Sequence, residues 1–184
     1  AVDYDRAPFG LKDFPINFYL SNDCGVIWKE LVKNESNKEV YSFDTNNFPD
    51  GTNYKLKIVA IDNENKASEE ISSTFGIDNT QPVFEIAIDA ELIKEKDKIN
   101  LKILSSENLA ETPTIQITQS SGEPQTLIVD GFGKKFSASY TILKGHLGTA
   151  VISVKGKDVA GNSGEKISSG ETFVVGRLGL PPPV

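Results

Sequence analysis

Apolar and polar residues alternate with a period of two along most of this chain, a pattern that admits β-strands and little else. Tyr54, Leu56, Ile58 and Ala60 share one face of a strand, with Lys55 and Lys57 opposite. Phe84, Ile86 and Ile88 alternate with Glu85 and Asp89, and Leu101 and Ile103 flank Lys102. Phe136, Ala138, Tyr140 and Ile142 alternate with Ser137, Ser139 and Thr141. One face packed and the other wet is the signature of antiparallel sheets. The charged stretch 89–97 is the one candidate helix, and its shortness favours a loop or a single turn.

An internal repeat organises these strands. Residues 54–66 form an alternating strand followed by an Asp-led turn, a polar stretch, the strand around Phe75 and a stop at Pro82. Residues 150–162 open the same succession, which closes on Phe173 and Pro181. The two turn aspartates, Asp62 and Asp158, stand 96 positions apart, about the length of one β-sandwich module. The boundary falls between about residues 77 and 83, where Asp78-Asn79-Thr80-Gln81-Pro82 has the chemistry of a linker. The expected domains are 1–79 and 80–177, with 178–184 a Pro-rich tail or linker. Seven strands are expected in the second half, near 83–89, 98–105, 113–119, 125–130, 135–143, 149–157 and 171–176. The first half offers 16–21, 25–32, 39–44, 53–61 and 72–77, with a doubtful strand near 2–5. It is thus one or two strands short of a sandwich.

Charge and rare residues narrow the function. The net charge is −7, and the lysines are dispersed, so no basic patch could neutralise a run of phosphates. Nucleic acid is therefore not an expected partner. No apolar run is long enough to span a membrane, so membrane insertion is not expected. A single cysteine, Cys24, forbids an internal disulfide. The single histidine, His146, lies in a Gly-flanked turn without the nucleophile context of a triad. Zinc would need more His and Cys than the chain has. These features argue against an enzyme.

The turn aspartates have two readings. As Asx-turns, their carboxylates accept backbone N–H groups. As calcium ligands, Asp62, Glu64 and Asp78 would gather near one module end, since Ca²⁺ takes hard oxygen donors. No D-x-D-x-D-G loop accompanies them. No other cofactor is implied. Asn65 stands where the second turn has Gly161, and Asn tolerates the left-handed backbone such a turn needs. Trp28, the only tryptophan, is expected to pack between two sheets.

Several segments resemble a known family. Ser21-Asn22-Asp23-Cys24-Gly25-Val26-Ile27-Trp28 resembles a hairpin of prokaryotic fibronectin type III-like modules. Phe43-Asp44-Thr45 through Pro49-Asp50-Gly51 and Asp78-Asn79-Thr80 are similar to their turn and junction motifs. Asp158-Val159-Ala160-Gly161-Asn162 resembles a turn of immunoglobulin-like repeats in prokaryotic surface proteins. The resemblance implies two immunoglobulin-like antiparallel β-sandwiches in tandem, in an extracellular or cell-surface protein. It implies a spacer, assembly or adhesion unit. Its partners would be neighbouring domains, adjacent subunits or a surface polysaccharide. A carbohydrate- or substrate-binding accessory module of an extracellular hydrolase or protease is the alternative. The short first half implies a domain that is cut from a longer chain or completed by another.

Overall fold

The computed structural model describes residues 11–38 and 40–176. The doubtful strand near 2–5 and the 178–184 tail lie outside the described residues. Among the described residues the regular structure is β, with one 3₁₀ turn and no α-helix. The chain divides into two compact units, Ala1–Asn79 and Thr80–Val184.

The first unit holds β1 (Leu11–Ser21), β2 (Lys29–Glu35), β3 (Gly51–Asp62), β4 (Ala67–Ile71) and β5 (Phe75–Ile77). They form one antiparallel sheet in the order β2-β1-β3-β4, with β5 also paired to β3. The period-two pattern sets its register. Ile16, Phe18 and Leu20 stand opposite Ala60, Ile58 and Leu56, so their apolar side chains share a face. Among the described residues the core is small: Leu20, Tyr54 and Ile77 form one buried cluster with Phe48, Leu56 and Phe75 packed around it, and Ile16 and Phe18 are buried further back along β1. The Tyr54 ring stacks 6.0 Å from Phe75, and its hydroxyl donates to the Pro49 carbonyl at 2.6 Å.

The strand expected over 39–44 does not form in its described part, 40–44. Local side-chain bonds compete there with a ladder. The Tyr41 hydroxyl donates to the Ser36 carbonyl, and the Tyr41 ring lies 4.5 Å from that of Phe18. Asp44 caps the 3₁₀ turn Thr45–Asn47 by accepting from the Asn46 N–H at 2.9 Å. The first unit therefore has one sheet among the described residues, where a sandwich needs two.

The second unit has β6 (Val83–Ile88), β7 (Ile93–Lys94), β8 (Lys98–Ser105), β9 (Thr114–Thr118), β10 (Gln125–Thr126) and β11 (Val129–Phe132). Then follow β12 (Lys135–Thr141), β13 (Gly148–Lys157), β14 (Ser163–Gly164), β15 (Lys166–Ser169) and β16 (Thr172–Gly176). One sheet runs β10-β9-β13-β16-β7 with β14 on β13, and the other runs β11-β12-β8-β6-β15. Both sheets contribute to a single core. Phe84, Ile99 and Leu101 come from one, and Ile115, Ile117, Ala150 and Val175 from the other, all fully buried. Two sheets closing on one core is a sandwich-like arrangement. Strands lie in all seven expected regions, but the one expected over 125–130 is two, β10 paired with β9 in one sheet and β11 paired with β12 in the other. The stretch 89–97 is a loop with the two-residue β7 in it.

The pairing is not wholly antiparallel, as the alternation had implied. β15 runs parallel to β6, and β16 parallel to β7. Alternation reports which face of a strand is buried, not which partner it finds or in what direction.

Gly156 shows how tightly this core is filled. A Cβ there would lie 2.8 Å from the Phe84 ring and 3.1 Å from Leu109. Gly156→Ala is expected to cost about 1–3 kcal/mol by overpacking, measured as a lower urea midpoint for the second unit.

Candidate functional site

The two turn aspartates occupy the same position in the same device. Asp62 ends β3 and Asp158 follows β13. The Asp62 N–H donates to the Lys66 carbonyl and the Asp158 N–H to the Asn162 carbonyl, both at 3.0 Å. The side chains then accept from the same backbone group: Oδ1 of Asp62 from the Lys66 N–H at 2.8 Å, and Oδ1 of Asp158 from the Asn162 N–H at 2.8 Å. Oδ1 of Asp62 also takes the Glu64 N–H at 2.9 Å, and that of Asp158 the Gly161 N–H at 2.7 Å. Asn65 has φ +65° and Gly161 φ +106°, so each turn uses the left-handed region at its fourth residue. Replacing Asn65 by Gly leaves the positive φ accessible and is expected to be the milder change. Asn65→Val should cost roughly 1–3 kcal/mol, because a β-branched residue resists positive φ. Thermal melts of the two variants check this.

The likeness extends beyond the turn. Ile61 pairs with Ala67 across the first turn and Lys157 with Ser163 across the second. Tyr54 pairs with Phe75, and Ala150 with Phe173. On the other side Leu20 pairs with Leu56, and Ile117 with Ile152. The first unit's sheet thus repeats the plan of one of the two sheets of the second.

Both carboxylates are buried, Asp158 almost completely at 1% exposed. Burial pushes the Asp158 carboxyl upward, but the Asn162 side chain and the backbone N–H groups of Asn162, Gly161 and Ala160 outweigh it. The net result is a carboxyl held below its usual range.

The three acids named as calcium ligands are not brought together. Asp62 is committed to its turn, and Glu64 pairs with Lys66 at 2.9 Å. Asp78 follows Ile77, which pairs with Gly51 at the opposite end of β3 from Asp62. At about 3.3 Å per residue the length of β3 between them is roughly 35 Å. The sequence placed them together because it does not show that the chain returns along the full length of β3.

Trp28 is half-buried and not wedged between sheets, since its unit has a single described sheet. Its ring lies 4.9 Å from the Lys57 ammonium, which also stands 5.2 Å from the Tyr19 ring. Tyr19 and Lys57 are direct cross-strand partners on β1 and β3. Gly25, at φ +95°, backs onto the indole: a Cβ there would lie 3.2 Å from it. Tyr19 was not singled out from the sequence, and only its pairing with Lys57 identifies it.

The turn before Trp28 is built by Ser21 and Asp23. Ser21 Oγ donates to Asp23 Oδ1 at 2.6 Å and accepts from the Gly25 N–H at 2.8 Å. Asp23 accepts from the N–H groups of Val26 and Ile27. The Ile27 N–H and the Ser21 hydroxyl hold its carboxyl below the usual range. Cys24 sits exposed in this turn at φ +61°.

His146 is tied into a structural network. Buried Gln119 donates to the His146 and Leu143 carbonyls and accepts from the Tyr140 hydroxyl and the Leu143 N–H. The His146 ring meets the Ser120 carbonyl at 3.0 Å through Nδ1. A carbonyl can only accept, which assigns the proton to Nδ1. Protein-family models and curated proteins were both compared with the chain, and neither comparison finds a match.

Proposed function

We propose that this chain is a non-catalytic structural module of a secreted or cell-surface prokaryotic protein, made of two immunoglobulin-like repeats in tandem. It serves as a spacer, assembly or adhesion unit between neighbouring domains or subunits. The observation that carries this reading is the repeated strand, Asp-led turn and return strand, with equivalent register in both units. A duplicated scaffold is what an array of modules requires, and stacking more copies lengthens it without new chemistry. The polar groups singled out from the sequence support the same reading: Asp62, Asp158 and His146 are spent on holding turns. Pulling the chain between tethered ends tests it. Two unfolding events of roughly 25 and 35 nm, about 3.4 Å per residue of each unit, are expected. A single event releasing the whole length contradicts it.

A saccharide-binding accessory module is the second reading, favoured by Tyr19 and Trp28, two aromatic rings that share the Lys57 ammonium. Their arrangement weighs against it. Lys57 sits over both rings and Gly25 covers the indole, so a sugar would have to displace Lys57 before stacking. Titrating neutral and acidic polysaccharides against the chain and against Trp28→Ala decides between the two. Saturable binding that the variant abolishes would favour the accessory module.

A further inference from the structure

The chain contains two Asp-Gly pairs, Asp50-Gly51 and Asp130-Gly131, and the fold treats them differently. Asp-Gly is the dipeptide at which an aspartyl side chain is most open to attack by the next backbone nitrogen, because glycine has no Cβ to obstruct the approach. At Asp50 the carboxylate is turned elsewhere: Oδ1 accepts from the Asn79 N–H at 2.7 Å. At Asp130 it is turned onto its own neighbour, and the Gly131 nitrogen lies 2.9 Å from Oδ1. This hydrogen bond holds the Gly131 nitrogen against the Asp130 carboxyl group, the proximity that ring closure needs. Asp130 is exposed, and β11 is an edge strand of its sheet. Gly131 has φ +128°, and a Cβ there would come within 2.3 Å of the Lys135 carbonyl. The strand therefore holds a glycine after Asp130 by geometry.

We propose that Asp130-Gly131 is a site of spontaneous backbone modification, the conversion of Asp130 to isoaspartate through a cyclic imide. The Gly131 nitrogen attacks the carbonyl carbon of the neutral Asp130 carboxylic acid. A new N–C bond forms, the C–OH bond breaks, the nitrogen loses its proton, and one water leaves. Water then adds to the imide. Opening on the side-chain carbonyl restores aspartate. Opening on the main-chain carbonyl leaves the backbone running through the side-chain carbon and frees an α-carboxylate. No oxidant, reductant or co-reactant is consumed.

The product carries one extra main-chain methylene in the middle of the four-residue β11. Asp130 now pairs with Ser137 and Gly131 with Phe136. The added methylene takes both pairs out of register and releases the strand that carries the exposed Phe132 and follows the exposed Ile128. The modification thus loosens this edge with age.

The test is incubation of the full chain in mildly acidic buffer, with peptide mapping by electron-transfer fragmentation and isoaspartyl methyltransferase labelling. In the native protein isoaspartate at 130 should exceed that at 50 by roughly tenfold or more. In urea the two sites should accumulate it alike, because the fold no longer aims either carboxylate. Asp130→Glu, which cannot close the five-membered ring, should lower native labelling to the level of position 50. Equal accumulation at both sites in the native protein, or more at Asp50, overturns the proposal.

Discussion

Asp158→Ala is expected to lower the stability of the second unit by about 2–4 kcal/mol. The carboxylate is 1% exposed and accepts the Gly161 and Asn162 N–H groups and the Asn162 side-chain amide. Removing it leaves donors in a partly buried turn without a partner, and orphaned donors cost more than the net value of the bonds they made. The effect depends on pH. The folded carboxyl is held below its usual range, so its contribution is fully present above the unfolded value of about 3.9. It is lost as pH falls below that value toward the folded one. Urea midpoints of the native chain and of Asp158→Ala should differ most at neutral pH and converge in acid. A gap that widens on acidification would show that the carboxylate is not the stabilising form.

Phe84→Ala is expected to cost more, about 3–5 kcal/mol. Phe84 is wholly buried on β6, in a core that draws on both sheets, and it is packed against the Gly156 backbone. Deletion leaves a cavity that the flanking strands, fixed by ladders on both sides, cannot close. Leu56→Ala in the first unit should cost only about 1–2 kcal/mol, because Leu56 is half-buried at the margin of the small cluster of Leu20, Tyr54 and Ile77. Chemical denaturation of the two variants checks the contrast, and equal losses would mean that the first unit's core is as well packed as the second's.

What the sequence disclosed divides by range. The Asp62 and Asp158 turns were legible because every bond in them spans four residues or fewer, and Asn65 and Gly161 marked the left-handed position. The long strands of the second unit, β6, β8, β9, β12 and β13, were legible because each buries one face, which leaves a period of two, whereas the short β7, β14 and β15 were not expected. The partners were not. Nothing in Lys166–Ser169 says that it returns parallel to β6, and the long-range ladder alone decides that. Trp28 was assigned to a sheet interface because the group that meets its ring, the Lys57 ammonium, comes from β3 and is not visible in the local sequence. Residues 39–44 read as a strand, since the competing Tyr41 and Asp44 bonds are not visible in alternation. The calcium grouping failed for a similar reason: Asp62 and Asp78 are close in sequence but lie at opposite ends of a twelve-residue strand.

The central claim is that the chain is two repeats that fold separately, the first on the thinner core. Trp28 lies in the first unit and is the only tryptophan, so its fluorescence reports that unit alone, while far-UV circular dichroism reports both. A urea titration followed by the two signals should show the fluorescence transition complete at lower denaturant than the dichroism transition. In Asp158→Ala the later transition should move and the fluorescence midpoint stay in place. Coincident transitions at one midpoint, shifted together by that substitution, would contradict the account.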